Sequence, residues 1–123
     1  MSTNEQIIRD FISAWSRLDA DELVSYFTED GIYHNMPVDP VQGTDALRGF
    51  IKAFLGNWSK TDWEILTLVA HGDTVIAERM DRTIADGKNV NLPCVGIFEM
   101  RDGKIAEWRD YFDMGTYVNA LAD

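Results

Sequence analysis

Glu107-Trp108-Arg109-Asp110-Tyr111-Phe112-Asp113 alternates along its length in the way of a β-strand near the end of the chain. One side carries Ala106, Trp108, Asp110 and Phe112, and the other carries Ile105, Glu107, Arg109 and Tyr111. The second set is mixed, as on a half-solvated surface. The first is aromatic except for Asp110. A carboxylate among large apolar side chains is costly unless it is paired, hydrogen-bonded or protonated. Asp110 is therefore either a structural hydrogen-bond anchor or a chemical group.

Working back from this strand, three more extended runs are separated by tight-turn signals. Asp102-Gly103 precedes Lys104–Phe112, and Asn89–Met100 comes before that turn. Asp86-Gly87 separates Asn89–Met100 from Thr74–Ile84, and Gly72-Asp73 separates that run from Trp63–Ala70. Asp-Gly between alternating runs is a strong short hairpin signal, so the four runs read as an antiparallel meander. The earlier part of the chain reads as helix. Thr3-Asn4-Glu5-Gln6 fits a capping box ahead of Ile7, Ile8, Phe11, Ile12, Trp15 and Leu18 at helical spacing. Asp19-Ala20-Asp21-Glu22 restarts a helix through Leu23, Val24 and Phe27, and Glu29-Asp30-Gly31 is expected to stop it. Ile32–Met36 is short and extended, and Pro37 and Pro40 bracket a loop. Thr44 is expected to cap a third helix ending at Gly56, and a last helical piece runs from about Met114 to Leu121. Helices gathered before a meander argue an α+β fold, with the N-terminal helices covering one face of a curved, mostly antiparallel sheet and leaving a pocket between.

Bulk properties narrow the function. The 123 residues make one domain's worth of chain, read as a single domain over 1–123, and 46% hydrophobic content allows a substantial core. A net charge of −10 disfavours nucleic acid and anionic membrane surfaces as partners. No apolar run approaches the roughly 18 residues of a membrane span, and Met1-Ser2-Thr3-Asn4-Glu5 lacks the pattern of a signal peptide. A cytoplasmic protein is expected. Cys94 is the single cysteine, so no internal disulfide forms, and with only His34 and His71 beside it a zinc site of the usual kind is not expected.

Arg79 and Asp81 interrupt an otherwise apolar strand and, being two apart, share a face. They are either a solvated edge or part of one site with Asp110. A two-residue turn at Asp86-Gly87 sets Asp81 opposite Leu92 and Arg79 opposite Cys94. A two-residue turn at Asp102-Gly103 would set Asp110 opposite Val95, on the wrong face. A three-residue turn, Arg101-Asp102-Gly103, shifts the register by one and brings Asp110 opposite Cys94; a bulge near Pro93 or Gly96 would serve as well. Without a shift the constellation fails. With it, Arg79 lies two strands from Asp110, roughly 10 Å away. Its guanidinium can then reach over Cys94 and donate to both carboxylates. In that arrangement one acid stays ionised as a base while the other is protonated, and Cys94 is a spacer. Tyr33 and Asn35 share a face of the short strand. They either orient a water or are a core residue and a turn cap. His34 points away from them, and His71 stands at a hairpin tip. Phe50, Phe54 and Trp58 read as core residues able to wall a pocket.

At these positions the sequence resembles the limonene-1,2-epoxide hydrolase family, within the nuclear-transport-factor-2-like (NTF2-like), SnoaL-like folds. The resemblance rests on Tyr33-His34-Asn35-Met36-Pro37, Glu78-Arg79-Met80-Asp81 and Trp108-Arg109-Asp110-Tyr111-Phe112-Asp113, with Val95-Gly96-Ile97-Phe98-Glu99 and Asp102-Gly103 also fitting. It implies that Asp110 is the general base, Asp81 the general acid, Arg79 their bridge, and Tyr33 and Asn35 holders of the attacking water. It places Phe54, Trp58, Leu92, Cys94 and Phe112 around the substrate. It further implies a six-stranded sheet, a homodimer, no cofactor, no metal, and a small apolar epoxide opened by water to a vicinal diol. Asp39 departs from the family pattern, where an uncharged residue is expected, and this bears on substrate range. The alternatives are an isomerase or cyclase of the ketosteroid type and a non-catalytic small-molecule-binding module of the same fold. A dimer is also expected from the outer sheet face, which would carry Ile65, Val69, Ile76 and Met80.

Overall fold

The computed structural model describes residues 3–122; Met1, Ser2 and Asp123, the ends of the domain expected over 1–123, lie outside the described residues. The order is α1 (Asn4–Ala14), a short 3-10 turn (Trp15–Arg17), α2 (Ala20–Val24), β1 (Phe27–Asn35), β2 (Val41–Gln42), α3 (Thr44–Leu55), β3 (Trp58–His71), β4 (Thr74–Ala85), β5 (Lys88–Arg101), β6 (Lys104–Tyr111) and α4 (Met114–Leu121). One six-stranded sheet runs in the order β2-β1-β6-β5-β4-β3. Among the described residues only the β1–β6 pairing is parallel. This is the expected α+β arrangement. The expected meander is β3 to β6, and β1 adds to its free edge.

The inner face of the sheet meets α1 through Ile8, Phe11 and Ile12. Trp15 stacks on Trp63 with ring centroids 4.3 Å apart. Phe11 meets Trp108 edge to face at 5.2 Å. Large aromatic side chains thus fill the space between helix and sheet, which fixes where the strands beyond them must run.

Three local expectations are corrected. The second helix ends at Val24, and Phe27–Asp30 already belong to β1. Phe27 is buried in the core and pairs with Ile105, so the sheet captures this segment. Gly31 is then a strand residue against Phe27, where an added Cβ would lie 3.0 Å from the Phe27 side chain. Thr44 is the first residue of α3, and Gly43, at φ 96°, precedes it as N-cap. At α1, Thr3 accepts from the Gln6 backbone N–H at 3.1 Å as expected. Gln6 does not reach back to close the capping box; its side chain donates to Asp10 at 2.9 Å.

The hairpins hold the functional register. Asp86 and Gly87 both have positive φ, as do Asp102 and Gly103, so each Asp-Gly is a two-residue turn of the type that matches strand twist. Arg79 pairs with Cys94 and Asp81 with Leu92, as expected. The three-residue turn at Arg101-Asp102-Gly103 is not formed, and β4–β5 pairing is regular through Pro93 and Gly96. The shift comes from a bulge in β6. Met100 pairs with Ile105, whereas Glu99 pairs with Glu107, leaving Ala106 as the extra residue. Ile105 and Trp108 consequently both face the core. Asp110 follows Trp108 to the inner face, opposite Gly96 and not opposite Cys94. A second bulge, at Leu66 in β3, turns Ile65 and Leu68 toward the core. Ile65 therefore leaves the outer face on which it was expected, while Val69 and Ile76 remain exposed there.

Candidate active site

Arg79 is completely buried, and its guanidinium lies between two carboxylates. Nε and Nη2 donate to Asp81 Oδ1 and Oδ2 at 2.9 and 2.8 Å. Nη1 and Nη2 donate to Asp110 Oδ1 and Oδ2 at 2.8 and 2.9 Å. Both forks are bidentate, a geometry that only a planar guanidinium offers. The indole of Trp63 lies 4.5 Å from the guanidinium carbon and that of Trp108 5.7 Å, so aromatic faces hold its plane. The guanidinium gains its room from Gly96. A Cβ there would sit 2.9 Å from Arg79 Nη1, 2.9 Å from Trp108 Nε1 and 3.1 Å from Asp110 Oδ1. Cys94, expected as the spacer, lies beneath Asp81, with its thiol donating to Oδ2 at 3.4 Å.

One positive and two negative groups leave a buried triad short of one proton when both acids are ionised. A single proton shared by the pair makes it neutral, and that proton belongs to the pair as a unit. Burial raises the Asp110 carboxyl above its ordinary value, against the opposing pull of Arg79, and the Asp81 charge adds to the rise. A raised carboxyl is a stronger base once ionised. Burial and the Asp110 charge push the Tyr33 phenol well upward, so Tyr33 stays neutral. Burial, then the Asp81 charge, pushes the Cys94 thiol up as well, so it stays protonated. Asp81, Cys94 and Asp110 offer ligand atoms within 4.8 Å of one another. Arg79 nonetheless occupies all four carboxylate oxygens, and a protonated thiol is a poor ligand, so this donor set does not fit a divalent cation.

The parallel pairing of β1 with β6 brings Tyr33 beside Trp108 and Asn35 beside Asp110. Met36 N–H donates to the Asp110 carbonyl at 2.9 Å and closes this end of the strand. Tyr33 stacks on Trp108 with centroids 4.1 Å apart. Asn35 is buried, and its Nδ2 has no partner among the described residues. Asn35 and Asp110 line one cavity of about 220 Å³. All five polar positions singled out in the sequence therefore meet. Four of them, Tyr33, Asn35, Asp81 and Asp110, line the cavity, and Arg79 lies behind the carboxylates. Phe54, Trp58, Leu92 and Phe112 line it too; Cys94 does not. The wall also includes Val38, Phe50, Trp63, Met114 and Tyr117. Asp39 is exposed and is not part of the wall. His34 pairs with Arg109 on the other face, and His71 closes an exposed turn. The sequence marked Gly96 only as a possible bulge site; its part in making room for Arg79 was not read, although a glycine inside a strand is itself a sign of close approach.

Comparison with known proteins agrees with this fold. A family model described as a SnoaL-like domain matches residues 8–108. The chain is 28% identical over 111 residues to "Epoxide hydrolase EphG" of Mycobacterium tuberculosis, covering 90% of this chain and 74% of that protein. A solved structure of an epoxide hydrolase described as LEH-like, also from M. tuberculosis, superposes with a TM-score of 0.82 at 26% identity, over 96% of this chain and 88% of that one. An NTF2-like protein of unknown function from Burkholderia pseudomallei shares the fold at 18% identity, with a TM-score of 0.87 and 100% of both chains covered. Its family model, its sheet and its helices agree, and the chain belongs to the SnoaL-like family of NTF2-like domains.

Proposed function

We propose that this chain is a cofactor-independent epoxide hydrolase that adds water to a small apolar epoxide in one step. The observation that carries the reading is the fully buried Arg79, forked onto two carboxylates that border an apolar cavity. The two relatives described as epoxide hydrolases support it. The cavity, at about 220 Å³, is smaller than the roughly 300–1,000 Å³ of drug-sized pockets, and this favours a compact substrate such as a monoterpene-like or cyclic epoxide.

In this mechanism the ionised Asp110 accepts a proton from a water that Tyr33 and Asn35 also contact. The water oxygen forms a bond to a ring carbon while the carbon–oxygen bond of the epoxide breaks. Protonated Asp81 gives its proton to the leaving oxygen in the same step. The product is a vicinal diol. The enzyme is left with its proton on Asp110 in place of Asp81, and return of that proton across the pair completes the cycle. Arg79 keeps both carboxylates oriented and offsets one of their charges. A ketosteroid-type isomerase needs a single base and has no use for the double fork.

Incubation of the purified protein with terpene, cyclic and styrene-type epoxides, followed by assay for diols, tests the proposal. Diol from at least one class is expected. Ketone isomers as the enzyme-dependent products would contradict it. The reading includes a homodimer, with a second copy on the outer sheet face at Val69, Ile76, Val95 and Tyr111, all exposed in the single chain. Light scattering at micromolar concentration should give twice the chain mass, and a monomer there would remove this part. No helix among the described residues is long and apolar enough to cross a membrane.

A further inference from the structure

One hydrogen bond on the cavity wall takes no part in the acid–base chemistry. Trp58 Nε1 donates to Tyr117 Oη at 3.2 Å. An indole N–H can only donate, so the direction of this bond is fixed. The Tyr117 oxygen accepts, and its own O–H proton has no partner among the described residues. Both rings line the cavity.

The two rings are held in place. A bulge at Ser59 separates the Trp58–Ala85 pairing from Lys60–Ile84 and turns Trp58 to the inner face. There it stacks with Phe54 at 5.9 Å between centroids. Tyr117 lies in α4, which is tied at both ends. Asp113 caps it by accepting from Thr116 N–H at 2.9 Å, and Lys88 Nζ donates to the Leu121 carbonyl at 2.6 Å. Trp58 pairs with Ala85, four residues beyond Asp81 on β4, or roughly 13 Å along the strand. The backbone that carries Trp58 is thus well removed along the sheet from the acid pair, and Tyr117 is a donor on that part of the cavity wall.

We propose that the substrate carries a hydrogen-bond-accepting oxygen, a carbonyl, hydroxyl or ether, at the end remote from its epoxide, and that Tyr117 binds it. This rests on the epoxide reading of the same site and narrows it. A hydrocarbon epoxide would cover the Tyr117 hydroxyl and leave it unpaired. An oxygenated one satisfies it, and Trp58 strengthens the donor by taking its oxygen as acceptor. A site that hydrogen-bonds a substrate discriminates against the analogue lacking that group.

The test compares 1,2-epoxyoctane with 7,8-epoxyoctan-2-one in the wild-type chain and in Tyr117→Phe. The readout is the ratio of kcat/KM for the ketone to that for the hydrocarbon. The wild-type ratio is expected near tenfold, about the value of one neutral hydrogen bond, and near unity in Tyr117→Phe, with the change in KM. A wild-type ratio of unity, or the same ratio in both proteins, overturns the inference. Binding of octan-2-one against octane to the wild type, followed by indole fluorescence, gives the same comparison without turnover and without a variant that must fold. If neither of these epoxides nor any of the terpene, cyclic and styrene-type epoxides is hydrolysed but octan-2-one binds about tenfold tighter than octane, the hydrolase reading fails and the Tyr117 site stands. Equal binding of the two overturns the Tyr117 site.

Discussion

Replacing Gly96 with alanine adds one methyl group at the point where three polar atoms converge. Its carbon would lie 2.9 Å from Arg79 Nη1, 2.9 Å from Trp108 Nε1 and 3.1 Å from Asp110 Oδ1. Ordinary contact begins near 3.4 Å, so Arg79 and Trp108 must each yield by roughly half an ångström and Asp110 by a few tenths. None moves freely. Arg79 is held by four hydrogen bonds and two indole faces, and Trp108 is packed between Tyr33, Phe98 and Phe11. Overpacking of this kind costs about 2 kcal/mol. At about 2.1 cal/mol/K of unfolding entropy per residue, that lowers Tm by about 8 °C for a chain of this length. The catalytic effect should be larger, because misplacing a reacting group by up to 1 Å loses on the order of a hundredfold. Thermal melts and diol formation from an epoxide that the wild type hydrolyses measure the two. A folded Gly96→Ala variant with wild-type kcat would refute the reasoning that Arg79 must pass at this point.

Gly49→Ala, in the middle of α3 with open space around the added Cβ, is the contrasting change and should raise stability by about 0.5–1 kcal/mol in the same melts. Arg79→Lys leaves an ammonium unable to fork onto both carboxylates; we expect a loss of about 3–5 kcal/mol in urea unfolding and severe impairment of turnover. Asp110→Asn should fold and lose hydrolysis by about a hundredfold or more, because shape and one acceptor remain while the base is gone; near-normal turnover would contradict the assignment. The pH dependence follows from the raised Asp110 carboxyl. The folded state then binds this proton more tightly than the unfolded state does. Stability from this group falls as pH rises from the ordinary carboxyl value through the folded one, and wild type should gain in Tm relative to Asp110→Asn as pH is lowered through that window. In the same window kcat/KM should fall on the acid side, as the base is protonated.

The two Asp-Gly turns and the pairing of Arg79 with Cys94 and Asp81 with Leu92 were legible because period-two alternation and turn chemistry are local. The need for a register shift before Asp110 was legible as well, but its place was not. A bulge is set by what packs on the sheet, and Ala106 is extruded so that Ile105 and Trp108 can both reach the core. The hint in the sequence was two large apolar residues three apart within an alternating run. Gly96 was passed over as the spacer because Cys94 filled that role in a row of strands, whereas the true alignment puts Asp110 two residues further along β5, opposite Gly96. The start of β1 was hidden by Asp30-Gly31, which reads locally as a helix stop and is overridden by burial of Phe27. Tyr117 was out of reach of sequence reasoning, since its meeting with Trp58 joins two elements 59 positions apart.

The central claim is direct addition of water by an Arg79-bridged acid–base pair, with no bond between substrate and protein. A carboxylate beside an epoxide can instead attack carbon and form an ester, which a second activated water must then hydrolyse, usually with a histidine as base. His34 lies on the opposite face of β1 and His71 at a distant turn. A single turnover in oxygen-18 water, with enzyme in excess over a hydrolysed epoxide, separates the routes. Direct addition puts the heavy oxygen in the diol on the first turnover and leaves the protein mass unchanged. Unlabelled diol, with the heavy oxygen recovered in the Asp110 carboxylate, would contradict the account.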